Sequence, residues 1–319
     1  MRFEADLEYS LLLLCKDLND GTYMHGSYSH RIVNEKKRRD ISVAGVRDRV
    51  VHRLLYDYLV PAVNTKLDPD VWSCRPSKGL HKALQRAALF SKRYSGGYFW
   101  RADVAKFFDH VNHETLKACL RRHIAEEKAQ KLLDKVIDSY THNEKSVSQS
   151  VSQSVSQSVS QSVSQSVSQS VSQSRHGIPI GNLTSQIFAN IYLNEFDRYV
   201  RHTIKPLAYM RYGDDVLLFF STKHKAQIAQ KTCTAWLNAE LSLAVHPKND
   251  IVRKVTSGIH FLGHHIYANG HINVDSHMQR KIEQKLSVTN IATYKAMHIT
   301  AKKRKKLDWS LHQSNSFKS

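Results

Sequence analysis

The stretch Tyr209-Met-Arg-Tyr-Gly-Asp-Asp-Val-Leu-Leu-Phe-Phe220 constrains the fold more than any other part of this chain. Aromatic and apolar residues lead up to Tyr212, two adjacent carboxylates follow Gly213, and Val216 to Phe220 is unbroken apolar sequence. Short apolar runs bounded by turn residues read as buried strands, and Gly before Asp is a turn signal. The stretch therefore predicts a hairpin buried in a sheet, with Asp214 and Asp215 at its tip. Neighbouring carboxylates repel, so holding two together costs free energy unless a cation sits between them. Oxygen ligands of this kind suit Mg²⁺. Taken alone the pair reads more simply as a solvated turn, so its meaning depends on what the remaining sequence supplies.

The chain has 319 residues, enough for one large domain or two ordinary ones. Lys and Arg number 47 against 28 acids, a formal charge of +19. That excess calls for a polyanionic partner, nucleic acid ahead of an anionic membrane surface. The apolar run Leu11 to Cys15 is too short to span a bilayer and follows several acids, so neither a membrane segment nor a signal peptide is expected. Cys15, Cys74, Cys119 and Cys233 are scattered without a Cys-x-x-Cys pair. Reduced thiols in a cytoplasmic protein, with no zinc site, are the expectation. None of the 19 histidines falls in His-Glu-x-x-His spacing, and His264-His265 and His110-x-x-His113 read as surface or core residues.

In chain order, Leu7 to Leu18 predicts a helix that stops at Asn19-Asp20-Gly21. The basic cluster Lys36-Lys-Arg-Arg39 leads into a strand at Ile41-Ser-Val. Arg47 to Leu59 reads as a helix with Pro61 beyond its end, and Lys78 to Phe90 as another, opened by Pro76-Ser77. Tyr98 to Val104 is strand-like, which puts Asp103 near a strand end, where an aspartate is disfavoured unless it binds something. Asn112 to Tyr140 reads as mostly helical, with Asp109 as a helix cap. A Gly/Pro-rich loop at Gly177 to Gly181 feeds a helix over Leu183 to Tyr199. Such a loop lets backbone N–H groups approach a phosphate or base pair closely. A helix over Ala226 to Leu241 and strands over Leu243 to Arg253 and Ile259 to Ile266 follow. The tail from Gln279 is partly helical and strongly basic at Lys302-Lys-Arg-Lys-Lys306.

Val147 to Ser174 is seven consecutive copies of Val-Ser-Gln-Ser. Chargeless and Ser-rich, with no core-forming pattern, it predicts a disordered surface loop. The codons GTC AGT CAG TCA spell this tetrapeptide as a tetranucleotide repeated three times. The segment thus fits a microsatellite inside the reading frame, where slippage by one unit shifts Asp214 and Asp215 out of frame. The competing reading is a flexible loop with no regulatory role. Mixed Ser and Val codons in the gene would dismiss the switch.

Asp103 with Phe108 downstream, the Gly181 loop with its helix, and Tyr212-Gly-Asp-Asp215 occur in the order found in reverse transcriptases, which the chain resembles over roughly residues 30–275. Arg47-Asp-Arg-Val-Val resembles the fingers segment of the bacterial enzymes. Leu243-Ala-Val-His-Pro-Lys-Asn resembles the later palm motif, and Gly258-Ile-His-Phe-Leu-Gly263 the primer grip. The resemblance implies an α+β right-hand polymerase fold, with fingers and palm built from an antiparallel sheet with packed helices, and a short helical thumb. It divides the chain into an N-terminal helix and fingers (1–95), palm (96–146 and 175–275) around the repeat loop (147–174), and a basic helical thumb or tail (276–319). It implies RNA-directed DNA polymerase activity with two Mg²⁺ ions. Asp103, Asp214 and Asp215 are the implied catalytic residues, with Val104 as a further metal-ligand position. Arg39, Phe108, Ile180, Gly181 and Lys248 would contact the nucleotide, Phe108 by excluding a 2′-hydroxyl and Lys248 as general acid. Tyr212, Phe261, Leu262 and Gly263 would hold the primer.

Group II intron and retron enzymes usually carry Pro-Gln-Gly-x-x-x-Ser-Pro before the palm helix. Here the stretch is Pro179-Ile-Gly-Asn-Leu-Thr-Ser-Gln186, similar to reverse transcriptases of diversity-generating retroelements. That subtype implies copying of a template RNA with frequent errors at adenines, an RNA/DNA hybrid product, and a small basic accessory protein, with no membrane partner. A Gln at position 180 can hydrogen-bond near the nascent base pair, whereas Ile180 offers apolar contact alone. The alternatives are a group II intron-like or retron enzyme serving phage defence, or an untemplated polymerase or RNA-binding protein on the same scaffold.

Overall fold

The computed structural model describes residues 6–34, 38–140, 175–275 and 279–280. The repeat and the basic tail from Lys281 lie outside them. In chain order the elements are α1 (Leu7–Asn19), β1 (Ser29–Asn34), β2 (Arg38–Val43), α2 (Val46–Asn64), α3 (Leu80–Arg93), β3 (Tyr98–Asp103), α4 (Phe107–His110), α5 (His113–Arg121) and α6 (Glu127–Asp138). After the repeat come α7 (Leu183–Tyr199), β4 (Ala208–Tyr212), β5 (Asp215–Phe220), α8 (Lys223–Leu241), β6 (Ile251–Lys254), β7 (Ile259–Phe261), β8 (His264–Ile266) and β9 (Ile272–Val274). The chain divides into two compact units, Met1–Val63 with Lys106–Tyr192, and Asn64–Ala105 with Leu193–Ser319.

In the first unit β1 and β2 pair antiparallel from Ser29↔Val43 to Asn34↔Arg38. The strand expected at residues 41–43 is therefore one arm of a longer hairpin. Helix α2 runs through Pro61 to Asn64 instead of ending at Leu59. Leu55, Leu59 and Val63 fall on one face and are all buried. Burial of that face outweighs the one backbone hydrogen bond that proline removes. The helix expected over residues 112–140 is two, α5 and α6. Asn112, not Asp109, caps the first by accepting from the Thr115 N–H at 2.9 Å. Asp109 sits instead in the first turn of α4. Buried Asp48 accepts from the Tyr23 hydroxyl at 2.7 Å and the Gly26 N–H at 3.2 Å, pinning the 23–26 loop to α2.

The second unit is built on a four-stranded antiparallel sheet of order β4-β5-β3-β6. Phe99, Leu217, Phe219, Ala208 and Met210 point to one face and pack with Ala83, Leu84, Ala87 and Phe90 of α3. Helix α8 also packs on β3, β5 and β6. The strand expected at 243–253 is broken. Val245 makes an isolated bridge to Val104, Pro247–Asn249 forms a 3₁₀ turn, and regular pairing resumes at Ile251. The strand expected at 259–266 folds back at Leu262-Gly263 into β7 and β8, with β9 added to make a three-stranded sheet. Both turn residues have positive φ, 50° and 73°.

Candidate active site

The β3–β5 register assembles the site. Asp103 pairs with Asp215 at the end of the ladder, and Tyr212 of β4 pairs with Asp215 from the other side. Gly213 turns the chain at φ 64°, a left-handed conformation that suits glycine, and Asp214 follows it. Carboxylate oxygens of Asp103, Asp214 and Asp215 all lie within 4.8 Å of one another, with each residue half-buried. Burial, and then the charges of Asp103 and Asp215, push the Asp214 carboxyl up to about 7. Three carboxylates this close cannot all ionise comfortably without a cation. Hard oxygen donors in this number fit Mg²⁺, so the residues present match the metal that the resemblance implies.

Neighbouring residues hold this cluster in place. The Asn249 amide donates to Asp103 Oδ2 at 2.8 Å, and the His246 N–H donates to the Asp103 carbonyl at 2.7 Å. The Val104↔Val245 bridge uses the carbonyls of Asp103 and Ala244, leaving that of Val104 outside the pairing. Behind the hairpin tip, fully buried Arg211 meets Asp197 of α7 through Nε–Oδ1 at 2.7 Å and Nη2–Oδ2 at 2.6 Å. The Tyr209 hydroxyl also donates to Asp197. Arg211 Nη1 then donates to the Gly213 carbonyl at 2.9 Å, and the Gly213 N–H donates to Ser73 Oγ at 2.8 Å. The turn that carries Asp214 is thus held at both its N–H and its carbonyl.

Lys248 is exposed in the 3₁₀ turn next to Asn249. Tyr212 is half-buried against the sheet core. Phe261 is buried in that core, so of the three residues expected at the primer grip only the Leu262-Gly263 turn reaches the surface. Arg39 lies on β2 opposite Val33. Phe108 and the Gly181 loop meet within the first unit, where the Ile178 N–H donates to the Phe108 carbonyl at 2.8 Å. Ile180 is tied to β2, its carbonyl accepting from the Ser42 N–H at 3.0 Å while the Asn182 amide donates to the Ser42 carbonyl at 2.9 Å. Gly181 has φ 110°, and a Cβ there would come within 2.6 Å of Ile41 Cγ2. Sequence reasoning assigned no role to Arg101, Asn249, Asp197, Arg211 or Ser73. Two of them carried a signal: Arg101 lies two residues before Asp103 on the same strand and therefore on the same face, and Asn249 closes the Leu243-Ala-Val-His-Pro-Lys-Asn stretch.

An antiparallel sheet with three carboxylates converging at the ends of its central strands defines the palm of a nucleotide-polymerising enzyme. The chain belongs to the reverse transcriptase (RNA-dependent DNA polymerase) family, whose profile matches residues 29–266. It is thus an RNA-directed DNA polymerase, a nucleotidyltransferase. It is 24% identical over 301 residues to protein YkfC of Escherichia coli strain K12, covering 82% of this chain and 72% of that protein. It is 23% identical over 198 residues to the group II intron-encoded protein LtrA of Lactococcus lactis, covering 60% of this chain and 28% of LtrA. Apo telomerase from Candida tropicalis shares the fold with a TM-score of 0.55 at 10% identity, over 79% of this chain and 49% of that one. Among the described residues no helix is long and apolar enough to cross a membrane.

Proposed function

We propose that the chain copies a template RNA into cDNA with frequent errors at adenines, as the reverse transcriptase of a diversity-generating retroelement. The observation that carries this reading is Ile180 in Pro179-Ile-Gly-Asn-Leu-Thr-Ser-Gln186, where an apolar side chain stands in place of an amide. Without that amide a polar check on the nascent pair is missing, and discrimination between right and wrong pairs weakens. In this reading Ile180→Gln lowers misincorporation opposite adenine, measured by sequencing cDNA made from a defined RNA; an unchanged error spectrum rejects the subtype. A group II-like enzyme is the second reading, favoured by the similarity to LtrA. It predicts no excess of errors at adenine in the unmodified protein.

In the reaction a primer 3′-hydroxyl attacks the α-phosphate of a deoxynucleoside triphosphate and pyrophosphate leaves. Two Mg²⁺ ions supply charge neutralisation at the attacking and leaving oxygens when bound. Asp103 and Asp214 are the residues that hold them, with Asp215 and Val104 in support. Asn249 fixes the rotamer of Asp103, and the clamped Gly213 turn fixes Asp214. Phe108 selects deoxynucleotides by excluding a 2′-hydroxyl. Arg39 and the Ile180-Gly181 backbone receive the nucleotide. Lys248, exposed and beside Asn249, donates a proton to departing pyrophosphate. Tyr212 and the Leu262-Gly263 turn, which buried Phe261 anchors to the core, hold the primer end. A template RNA, its RNA/DNA hybrid and a small basic accessory protein are the partners of this reading, consistent with a charge of +19. Asp214→Asn is expected to abolish primer extension on RNA while leaving nucleic-acid binding; retained synthesis overturns the metal assignment.

A further inference from the structure

The carboxylate cluster contains a cation of its own. Arg101 lies on β3 two residues before Asp103, so strand alternation sends both side chains to one face of the sheet. Its partner on β5 is Leu217, two residues after Asp215, and the guanidinium comes diagonally back to the site. Arg101 Nη2 is 3.6 Å from Asp215 Oδ1, with only 17% of the arginine side chain exposed. That separation is longer than the 2.6–2.9 Å of the paired Arg201–Asp68 and Arg211–Asp197 hydrogen bonds elsewhere in the same unit. Arg101 Nε is buried and has no hydrogen-bond acceptor among the described residues.

An arginine placed only to brace the sheet would be expected to satisfy its planar fork on a carboxylate, as Arg211 does on Asp197. Arg101 instead sits against Asp215 at ion-pair range with one donor unspent. Its positive charge offsets repulsion among three carboxylates held within 4.8 Å. The same charge opposes entry of a second cation into that space.

We propose that Arg101 is a resident counter-cation that competes with the divalent metal for Asp215, holding the metal-free cluster together and lowering its affinity for metal until an anionic nucleotide arrives. Arg101 is in this sense a positioning residue, acting through Asp215. The inference rests on the reading of Asp103, Asp214 and Asp215 as a divalent-cation site.

The test is Mn²⁺ binding to the full chain without nucleotide, followed by the electron paramagnetic resonance signal of free Mn²⁺. Arg101→Met is expected to bind Mn²⁺ about tenfold more tightly than the unmodified chain, the lower end of what one adjacent charge does to a carboxylate's proton affinity. Arg101→Lys, which keeps the charge, should stay near the unmodified affinity. Where the methionine variant fails to fold, Arg101→Gln carries the same expectation as a polar replacement without charge. Half-saturating Mg²⁺ in primer extension should fall in parallel with the Mn²⁺ affinity. Unchanged or weaker Mn²⁺ binding in a folded, charge-free Arg101 variant overturns the proposal. Asp214→Asn separates the two layers. If it leaves Mn²⁺ binding as in the unmodified chain, the cation-site reading itself fails, whatever Arg101 does.

Discussion

Replacing Asp197 with asparagine changes one side chain by almost no volume and strips the charge from a pair that is 0% and 1% exposed. Arg211 would then be left as a buried guanidinium without a counter-ion, and an asparagine NH₂ would face either Arg211 Nη2 or the Nε–H and Tyr209 hydroxyl, donor against donor. Breaking a buried pair by removing one partner costs about 3–5 kcal/mol. Domains are typically stable by about 5–15 kcal/mol, so the loss is a large share of what the unit has. At about 2–4 °C per kcal/mol for domains of this size, the melting temperature should fall by roughly 10 °C. Burying the pair is a different quantity from breaking it. Asp197→Leu with Arg211→Met replaces both charges by apolar groups, which is often neutral or stabilising. The double variant should therefore recover much of the lost stability. It should not recover polymerase activity, because the Gly213 carbonyl loses the Arg211 donor that fixes the turn before Asp214. Urea melts of the unmodified chain, Asp197→Leu, Arg211→Met and the double variant give the coupling energy directly, with Asp197→Asn melted alongside and primer extension as the second readout. A loss under about 1 kcal/mol for Asp197→Asn, or a double variant no more stable than the singles, refutes the reasoning. Full activity in the double variant removes the role assigned to the Gly213 contact.

Phe108→Ala is expected to admit ribonucleotides into the product, read as alkali-sensitive cDNA; an unchanged sugar preference dismisses the gate. Deleting residues 141–174 and joining the ends with a short flexible linker should leave folding intact, because Asp138 and Arg175 on either side of them come close enough for their side chains to meet at 3.9 Å, Nη1 to Oδ1; circular dichroism and a melt compare the two chains. His52 is 2% exposed, with Nδ1 at 2.7 Å from Thr184 Oγ1 and Nε2 at 3.1 Å from His25. Burial, and then His25, lower its pKa to about 4. Between that value and the ordinary 6.5 the unfolded chain takes up a proton that the folded one refuses. The stabilisation from neutral His52 is thus full above pH 6.5 and falls by up to about 3 kcal/mol as pH drops to 4. Asp214, with its pKa raised to about 7, tilts the metal-free protein the opposite way, stability falling as pH rises from about 4. The measurement is therefore the difference in stability between the unmodified chain and His52→Gln across pH 4–7. A difference that does not vary with pH removes His52 from the account.

The hairpin at Tyr209–Phe220 was legible because its pattern is nearly all apolar on both arms, and α7 and α1 because uninterrupted helical sequence ends at clear boundaries. What escaped is set by contacts distant in sequence. The strand Ser29–Asn34 has no alternation to read, and Ile32 on it is 54% exposed; only pairing with Arg38–Val43 makes it a strand. Pro61 is a stop signal in isolation, and the burial of Leu59 and Val63 overrides it. Asp197 and Arg211 look like any charged residues of a helix and a strand until the fold brings them within 2.6 Å.

The carboxylates themselves contribute nothing favourable to their own assembly. Asp103 meets Asp215 because Trp100, Ala102, Val216, Leu217 and Leu218 are buried in one register. A slip of one residue would turn every side chain of β3 to the opposite face, sending Asp103 into the core and Ala102 to the site. The apolar pairs Phe99↔Phe219 and Trp100↔Leu218 exclude that slip, so repulsion among three acids is held by hydrophobic burial along the strands. Weakening that burial, as Leu218→Ala would by about 2–5 kcal/mol, is therefore expected to loosen the metal site together with the sheet. Arg101 lies on the same ladder, one alternation away, and the register that gathers the acids also delivers their counter-ion.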